Sequence, residues 1–272
     1  AGRAAIRAGA GLVRIAAPEQ LLNAILTDLN EATGVPLACE ASGALLAHEA
    51  STALDPQFDR SDCLGVGPGL GAGEGVASVV LRCIGQTEAP VVLDADGLNA
   101  LASMAHYPGE IRASCVLTPH PGEFRRLAAP LGITLDPTDA VQRPGVCAEL
   151  ARRLGAVVVL KGKGSVVSDG QRVWVCTHGA PCLATGGTGD VLTGLLASLV
   201  AQYVPQGPAA IGGLAMPRPE GKPLDLYDAA RIAVEAHAIA GERWSEAHSA
   251  SAGLLASELA DLLPGVLESM RA

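Results

Sequence analysis

Aromatic residues are scarce: two tryptophans, three tyrosines and two phenylalanines serve a chain of 272 residues. Alanine and glycine abound instead, a composition suited to close helix–sheet packing rather than to an aromatic binding platform. Positive charge is short as well, with 19 basic against 28 acidic residues and a net charge of −9. With no basic cluster, nucleic acid and acidic membrane surfaces are poor partners. A phosphate-bearing ligand is not excluded, because local backbone amides and a metal can outweigh the global charge. No apolar stretch approaches the ~20 residues of a membrane span, and no signal peptide is recognisable. Cys39, Cys63, Cys83, Cys115, Cys147, Cys176 and Cys182 form no CxxC pair, so they read as reduced, buried thiols of a cytoplasmic protein. Repeats, low-complexity tracts and clear linkers are all missing, and the length fits one large α/β domain or two small ones. What is present is apolar: 49% hydrophobic against 17% charged, the balance of a folded globular chain.

Short β-branched runs alternate with helical stretches. Strands are expected at Leu12–Ala16, Pro90–Asp94, Cys115–Thr118 and Ala156–Lys161, each nearly continuous in apolar residues, as strands covered on both faces are. Helical segments such as Gly97–Ala105 and Val141–Leu154 separate them, which implies a mostly parallel sheet between helices. "GSVVSDGQRVWVC" breaks the rhythm as a hairpin around a Ser-Asp-Gly turn. Three helices follow, at roughly 188–202, 225–243 and 251–263, with 206–223 expected as a long Gly/Pro-rich loop.

Five stretches hold candidate chemistry. In "LATGGTGDVLTGLLASLVAQ" a helix begins near Thr188–Asp190, since Val191, Leu192, Leu195, Leu196, Leu199 and Val200 share one stripe. Its first amides lack internal partners, and Gly186, Gly187 and Gly189 let a phosphate approach them closely. Asp190 either takes part in chemistry there or merely caps the helix. "GVGPGLG" (65–71) is a tight turn after a short strand, structural or ligand-facing. "TPHPGE" (118–123) sets His120 and Glu123 at a proline-stiffened turn opening a helix, where a neutral histidine nitrogen suits a ligand better than a metal. "LKGKGS" (160–165) ends a strand with two lysines that are either solvated or opposed to phosphate. Asp94 and Asp96 close the strand "VVLDAD", at the edge where open parallel sheets bind ligands, and are candidate metal or phosphate-water contacts. Glu235 and His237 read as ordinary helix-face residues.

"ATGGTGDVLTG" resembles the anion-hole signature of the ribokinase-like superfamily. Together with "RAAIRAGAGLVRIAAPE", "LGVGPGLG", "VLDADGLNAL", "LTPHPGEFRRL" and "VVLKGKGSVVSDGQRVWV", in that order and over essentially the whole chain, it resembles the ADP/ATP-dependent NAD(P)H-hydrate dehydratases. The resemblance implies a three-layer α/β/α sandwich with a mostly parallel central sheet and a small hairpin. It further implies one domain over 1–272 that lacks the family's first strand, expected upstream of Ala1. Asp190 would be the base toward the hydroxyl that receives phosphate. Lys161, Gly162, Lys163, Gly164 and Ser165, with Gly186, Gly187 and Gly189, would bind the nucleotide. Gly69, Gly71 and His120 would touch the hydrate. Glu123 would hold Mg2+ through water, as the Glu of Asn-x-x-Glu does in the related kinases; His120 replaces that Asn. A further departure is "HGAPCLATGG", where the family usually has Asn-Pro-Gly-Met in place of Ala-Pro-Cys-Leu.

The activity implied is dehydration of the S epimer of NADH or NADPH hydrate, with ADP or ATP phosphorylating the C6 hydroxyl. A homo-oligomer and a fused or separate hydrate epimerase are the implied partners. Two other readings stay open: a kinase of a small hydroxymethyl vitamin precursor, recognised by a stable phosphorylated product, and a non-catalytic nucleotide-binding protein, recognised by the absence of turnover.

Overall fold

The computed structural model describes residues 1–205, 210–211, 214–215 and 223–271. It opens with α1 (Gly2–Arg7), β1 (Arg14–Pro18), α2 (Glu19–Asp28) and β2 (Thr33–Leu37), in which β1 and β2 pair in parallel as a sheet of their own. Two short helices, α3 (Ala47–Thr52) and α4 (Asp55–Phe58), lead to the βα units that build the main sheet. These are β3 (Leu64–Val66) with α5 (Glu74–Ile84), β4 (Val91–Leu93) with α6 (Ala95–Ala102), and β5 (Cys115–Leu117) with α7 (Pro121–Ala128) and α8 (Arg143–Leu154). Then β6 (Val157–Leu160) joins in parallel, and β7 (Val166–Ser168) and β8 (Val173–Val175) add the hairpin. The six strands lie in the order β3-β4-β5-β6-β7-β8, the first four parallel and the last two antiparallel. The chain continues through α9 (Thr188–Tyr203), the two-residue strands β9 (Ala210–Ile211) and β10 (Leu214–Ala215), α10 (Leu226–His248) and α11 (Ala256–Arg271). Most of the expected loop at 206–223 lies outside the described residues.

Strand side chains alternate between two cores, as a period of two requires. Val92, Val116, Val157, Val159 and Val167 pack against α1, α9, α10 and α11. Val91, Leu93, Cys115, Leu117, Val158, Leu160 and Val166 face α3, α5, α6, α7 and α8. The result is an α/β/α sandwich in which β4, β5 and β6 are buried on both faces, which is why they read as unbroken apolar runs. The hairpin is tied to α10 by Arg172, which donates to Asp225 Oδ2 at 2.6 Å and lies 4.2 Å over the Tyr227 ring. Among the described residues, no helix is long and apolar enough to cross a membrane.

Register decides where the polar residues fall. Val66, Leu93, Leu117 and Val158 are successive neighbours across β3, β4, β5 and β6. Asp94 and Lys161 therefore both emerge at the carboxyl edge of the parallel strands, in line with the start of α9. Gly67 makes this possible: it takes a positive φ of 122°, and a Cβ there would run into the Asp94 carbonyl. Ala95 adopts φ 49°, a left-handed conformation costing a non-glycine residue ~1 kcal/mol, and turns the chain from β4 into α6.

Candidate active site

The first turn of α9 is the centre of the site. Gly187 precedes it with φ 86°, and the N–H groups of Gly186, Gly187, Gly189 and Asp190 donate to no acceptor among the described residues. Asp190, at the third position of the helix, is half-buried, and its carboxylate accepts no hydrogen bond from any described residue. A capping role would have tied it to a backbone amide; the geometry does not support that alternative. A carboxylate with no hydrogen-bond donor among the described residues thus stands among four amides with no acceptor there, at the positive end of the helix dipole and near the Ala1 ammonium.

Opposite lies a charge cluster assembled from the ends of β4 and β6 and the first turn of α7. Lys161 Nζ is 2.5 Å from Asp94 Oδ1 and 4.0 Å from Glu123 Oε2. Asp94 is only 1% exposed, and its second oxygen accepts from Thr193 Oγ1 of α9 at 2.7 Å. A Cβ on Gly189 would lie 3.5 Å from Lys161 Nζ, which puts the ammonium beside the first turn of α9. The sequence places Asp94 correctly at a strand end but conceals its partners, 67 and 99 residues away. Asp96, held beside it as a candidate metal or phosphate-water contact, instead accepts from Gly71 N at 2.8 Å and so shapes the "GVGPGLG" turn. Gly69 and Gly71 take φ 69° and 79°, and Cβ positions on both point into open space.

His120 and Glu123 form a reciprocal cap on α7. His120 Nδ1 accepts from Gly122 N at 2.9 Å, while Glu123 Oε2 accepts from His120 N at 2.8 Å. The proline-stiffened turn opening a helix is as expected, and His120 Nε2 lies 3.4 Å from Glu123 Oε1. Burial raises the pKa of Glu123, an effect opposed by the His120 amide and by Lys161.

The lysine loop has an organiser that sequence reasoning missed. Arg143 of α8 is buried, and its Nη2 donates to the carbonyls of Leu160 at 2.9 Å, Gly164 at 3.2 Å and Lys161 at 3.3 Å. Nη1 donates to Pro137 O at 2.7 Å. In sequence Arg143 looks like a surface residue at a helix start; only the fold brings the loop beneath it. Lys163 and Gly162 stay exposed at the rim, with Ser165 Oγ donating to Gly162 O at 3.0 Å.

The unusual "HGAPCLATGG" segment is seated on α10. Gly179 N donates to Glu242 Oε1 at 2.7 Å, Cys182 Sγ to Gly241 O at 3.3 Å, and Leu183 fills the space a Cβ on Gly241 would need. Cys182 and Leu183 thus serve as anchors. His237 is no ordinary helix-face residue: its Nε2 lies 2.8 Å from the Thr188 carbonyl.

A family model described as NAD(P)H-hydrate dehydratase matches residues 1–265. The chain belongs to the NAD(P)H-hydrate dehydratase family. Among relatives of this family, a bifunctional NAD(P)H-hydrate repair enzyme of Salinibacter ruber is 37% identical over 268 residues, covering 98% of this chain and 44% of the relative. One from Moorella thermoacetica is 34% identical, covering 99% and 46%. The chain therefore spans about half the length of the curated relatives it matches. The solved ADP/ATP-dependent NAD(P)H-hydrate dehydratase of Bacillus subtilis, co-crystallised with ATP and Mg2+, has a TM-score of 0.74 at 30% identity, over 98% of this chain and 84% of that one. The hydroxyethylthiazole kinase of Pyrococcus horikoshii shares the ribokinase-like fold, with TM-score 0.62 at 18% identity over 98% of this chain and 95% of its own. Within the dehydratase family this chain keeps an α/β/α sandwich, with Asp94 and Lys161 at the carboxyl ends of the parallel strands.

Proposed function

We propose that this chain uses ADP or ATP to dehydrate the S epimer of NADH or NADPH hydrate. The observation that carries the reading is that the Asp190 carboxylate and the N–H groups of Gly186, Gly187 and Gly189 have no hydrogen-bond partner among the described residues. Those donors suit the transferring phosphoryl group, and Lys161 opposite them adds positive charge. Asp190 takes the proton of the C6 hydroxyl as its oxygen bonds to phosphorus and the nucleotide leaves. A modest base suffices, because phosphoryl transfer passes through a loose transition state in which positioning supplies most of the rate. Hydroxide is a poor leaving group and phosphate a good one. The ring nitrogen's lone pair then expels phosphate, and loss of a C5 proton restores the reduced nicotinamide.

In this reading Lys161, Gly162, Lys163, Gly164 and Ser165 meet the nucleotide, while Gly69, Gly71 and His120 meet the hydrate. The donor set suits Mg2+: Asp94 and Glu123 are both buried carboxylates sharing the single ammonium of Lys161, one negative charge in excess and all oxygen. Glu123 would hold the ion through water, and the bound ion would offset phosphate charge. A fused or separate epimerase would supply the usable epimer, in keeping with relatives named bifunctional.

Lys161→Ala is expected to weaken nucleotide binding at least about tenfold while changing hydrate affinity little, since charge-assisted contacts are each worth roughly 1.5–3 kcal/mol. Separate titrations of the two ligands check this, and loss of hydrate affinity alone would mean the subsites are exchanged. The activity itself is tested by counting phosphate, with one released per hydrate consumed.

A further inference from the structure

A glycine-rich loop cannot hold its own shape. Gly186, Gly187 and Gly189 have no side chains to pack, and Gly187 sits at positive φ. The first turn of α9 is therefore held from outside. Thr188 Oγ1 lies 2.7 Å from Leu183 O and 2.8 Å from Thr185 O, and Thr193 Oγ1 lies 2.7 Å from Asp94 Oδ2. The remaining contacts come from α10, where His237 and, one turn on, Gly241 and Glu242 meet Thr188, Cys182 and Gly179 in turn.

We propose that His237 is a positioning residue for phosphoryl transfer: by donating Nε2–H to the Thr188 carbonyl, it fixes the direction of the α9 first turn and hence of Asp190. The carbonyl can only accept, so Nε2 carries the proton, and a neutral ring leaves Nδ1 bare. Enclosure by the protein, aided by the nearby charge of Lys161, pushes the His237 pKa down to about 4, which keeps the ring neutral near pH 7. A neutral donor holds the carbonyl without adding a second cation beside Lys161. Thr188 lies two residues before Asp190, so a shift of its carbonyl moves the base and the free N–H groups together. A misplacement of about 1 Å in reacting groups can cost roughly 10²-fold in rate.

The proposal rests on the dehydratase reading for its kinetic readout, so a second measurement needs no substrate. His237→Leu removes the donor and keeps an apolar fill; His237→Gln returns an amide N–H at nearly the same reach. The Leu variant is expected to lose about tenfold or more in kcat, with KM for hydrate within about threefold. Its Val191 and Leu192 amides, which close the first turn, should exchange with solvent faster than in the wild type. The Gln variant should recover kcat to within about threefold and restore slow exchange. A Leu variant with wild-type kcat and wild-type exchange would overturn the proposal, as would a Gln variant no better than Leu in both. If the wild-type protein turned over no hydrate, the dehydratase reading would fall, and amide exchange in the three proteins would decide the role of His237 by itself.

Discussion

Asp190→Asn is expected to lower kcat by about 10²–10⁴-fold, the usual cost of losing a positioned general base. Fold and nucleotide affinity should barely change. The side chain accepts no hydrogen bond from any described residue, and asparagine fills the same volume. The substitution forfeits the attraction of a half-exposed carboxylate for the helix N-terminus, roughly 0.3–1 kcal/mol, and for the nearby Ala1 ammonium. Repulsion between Asp190 and a bound polyphosphate also disappears, so nucleotide affinity should hold steady or rise. Steady-state kinetics beside a nucleotide titration and a thermal melt check all three parts. Near-wild-type turnover would remove Asp190 from its role; loss of folding would make it structural.

The second large effect is expected at Asp94. Its carboxylate joins β4, β6 and α9 by holding Lys161 at 2.5 Å and Thr193 at 2.7 Å, and it is 1% exposed. Asp94→Ala strands the ammonium and leaves the Thr193 hydroxyl without that acceptor. Breaking one side of a buried pair costs roughly 3–5 kcal/mol. About 3 kcal/mol is expected here, because Lys161 retains Glu123 and some contact with solvent. Asp94→Asn keeps an oxygen for Thr193 and should cost less, while both variants bind nucleotide poorly because Lys161 is no longer aimed at α9. Denaturant unfolding reads the stability difference. An Ala variant within about 1 kcal/mol of the wild type would show that the cluster does not join these elements.

Much of the architecture is legible in the chain. The strands at 91–93, 115–117 and 157–160 are buried on both faces, so their Val/Leu runs are unbroken, and the hairpin is announced by Ser-Asp-Gly. The start of α9 is readable because an apolar stripe follows directly on glycines. Less readable is α5, where Val-rich "EGVASVVLRCI" looks as much like a strand as a helix until Gly73 and Glu74 are seen to start it. Pairings across the fold are invisible in principle. Asp94 meets Lys161 only through the register of three strands, Arg143 meets its four carbonyls only because α8 packs under the lysine loop, and His237 meets Thr188 only where α10 crosses α9. A buried arginine and a carbonyl-bound histidine have ordinary sequence surroundings; tertiary contact alone distinguishes them. The resemblance to a family supplied the roles, and the geometry supplied the partners.

The most direct test of the account is the return of reduced-nicotinamide absorbance from purified hydrate, followed with Mg2+ and ATP or ADP and again with the nucleotide left out. Dehydration through a phosphate ester predicts full return with nucleotide and none without it, with no phosphorylated nicotinamide product accumulating. Return at the same rate without nucleotide, or accumulation of a stable phosphate ester in place of reduced nicotinamide, would contradict it.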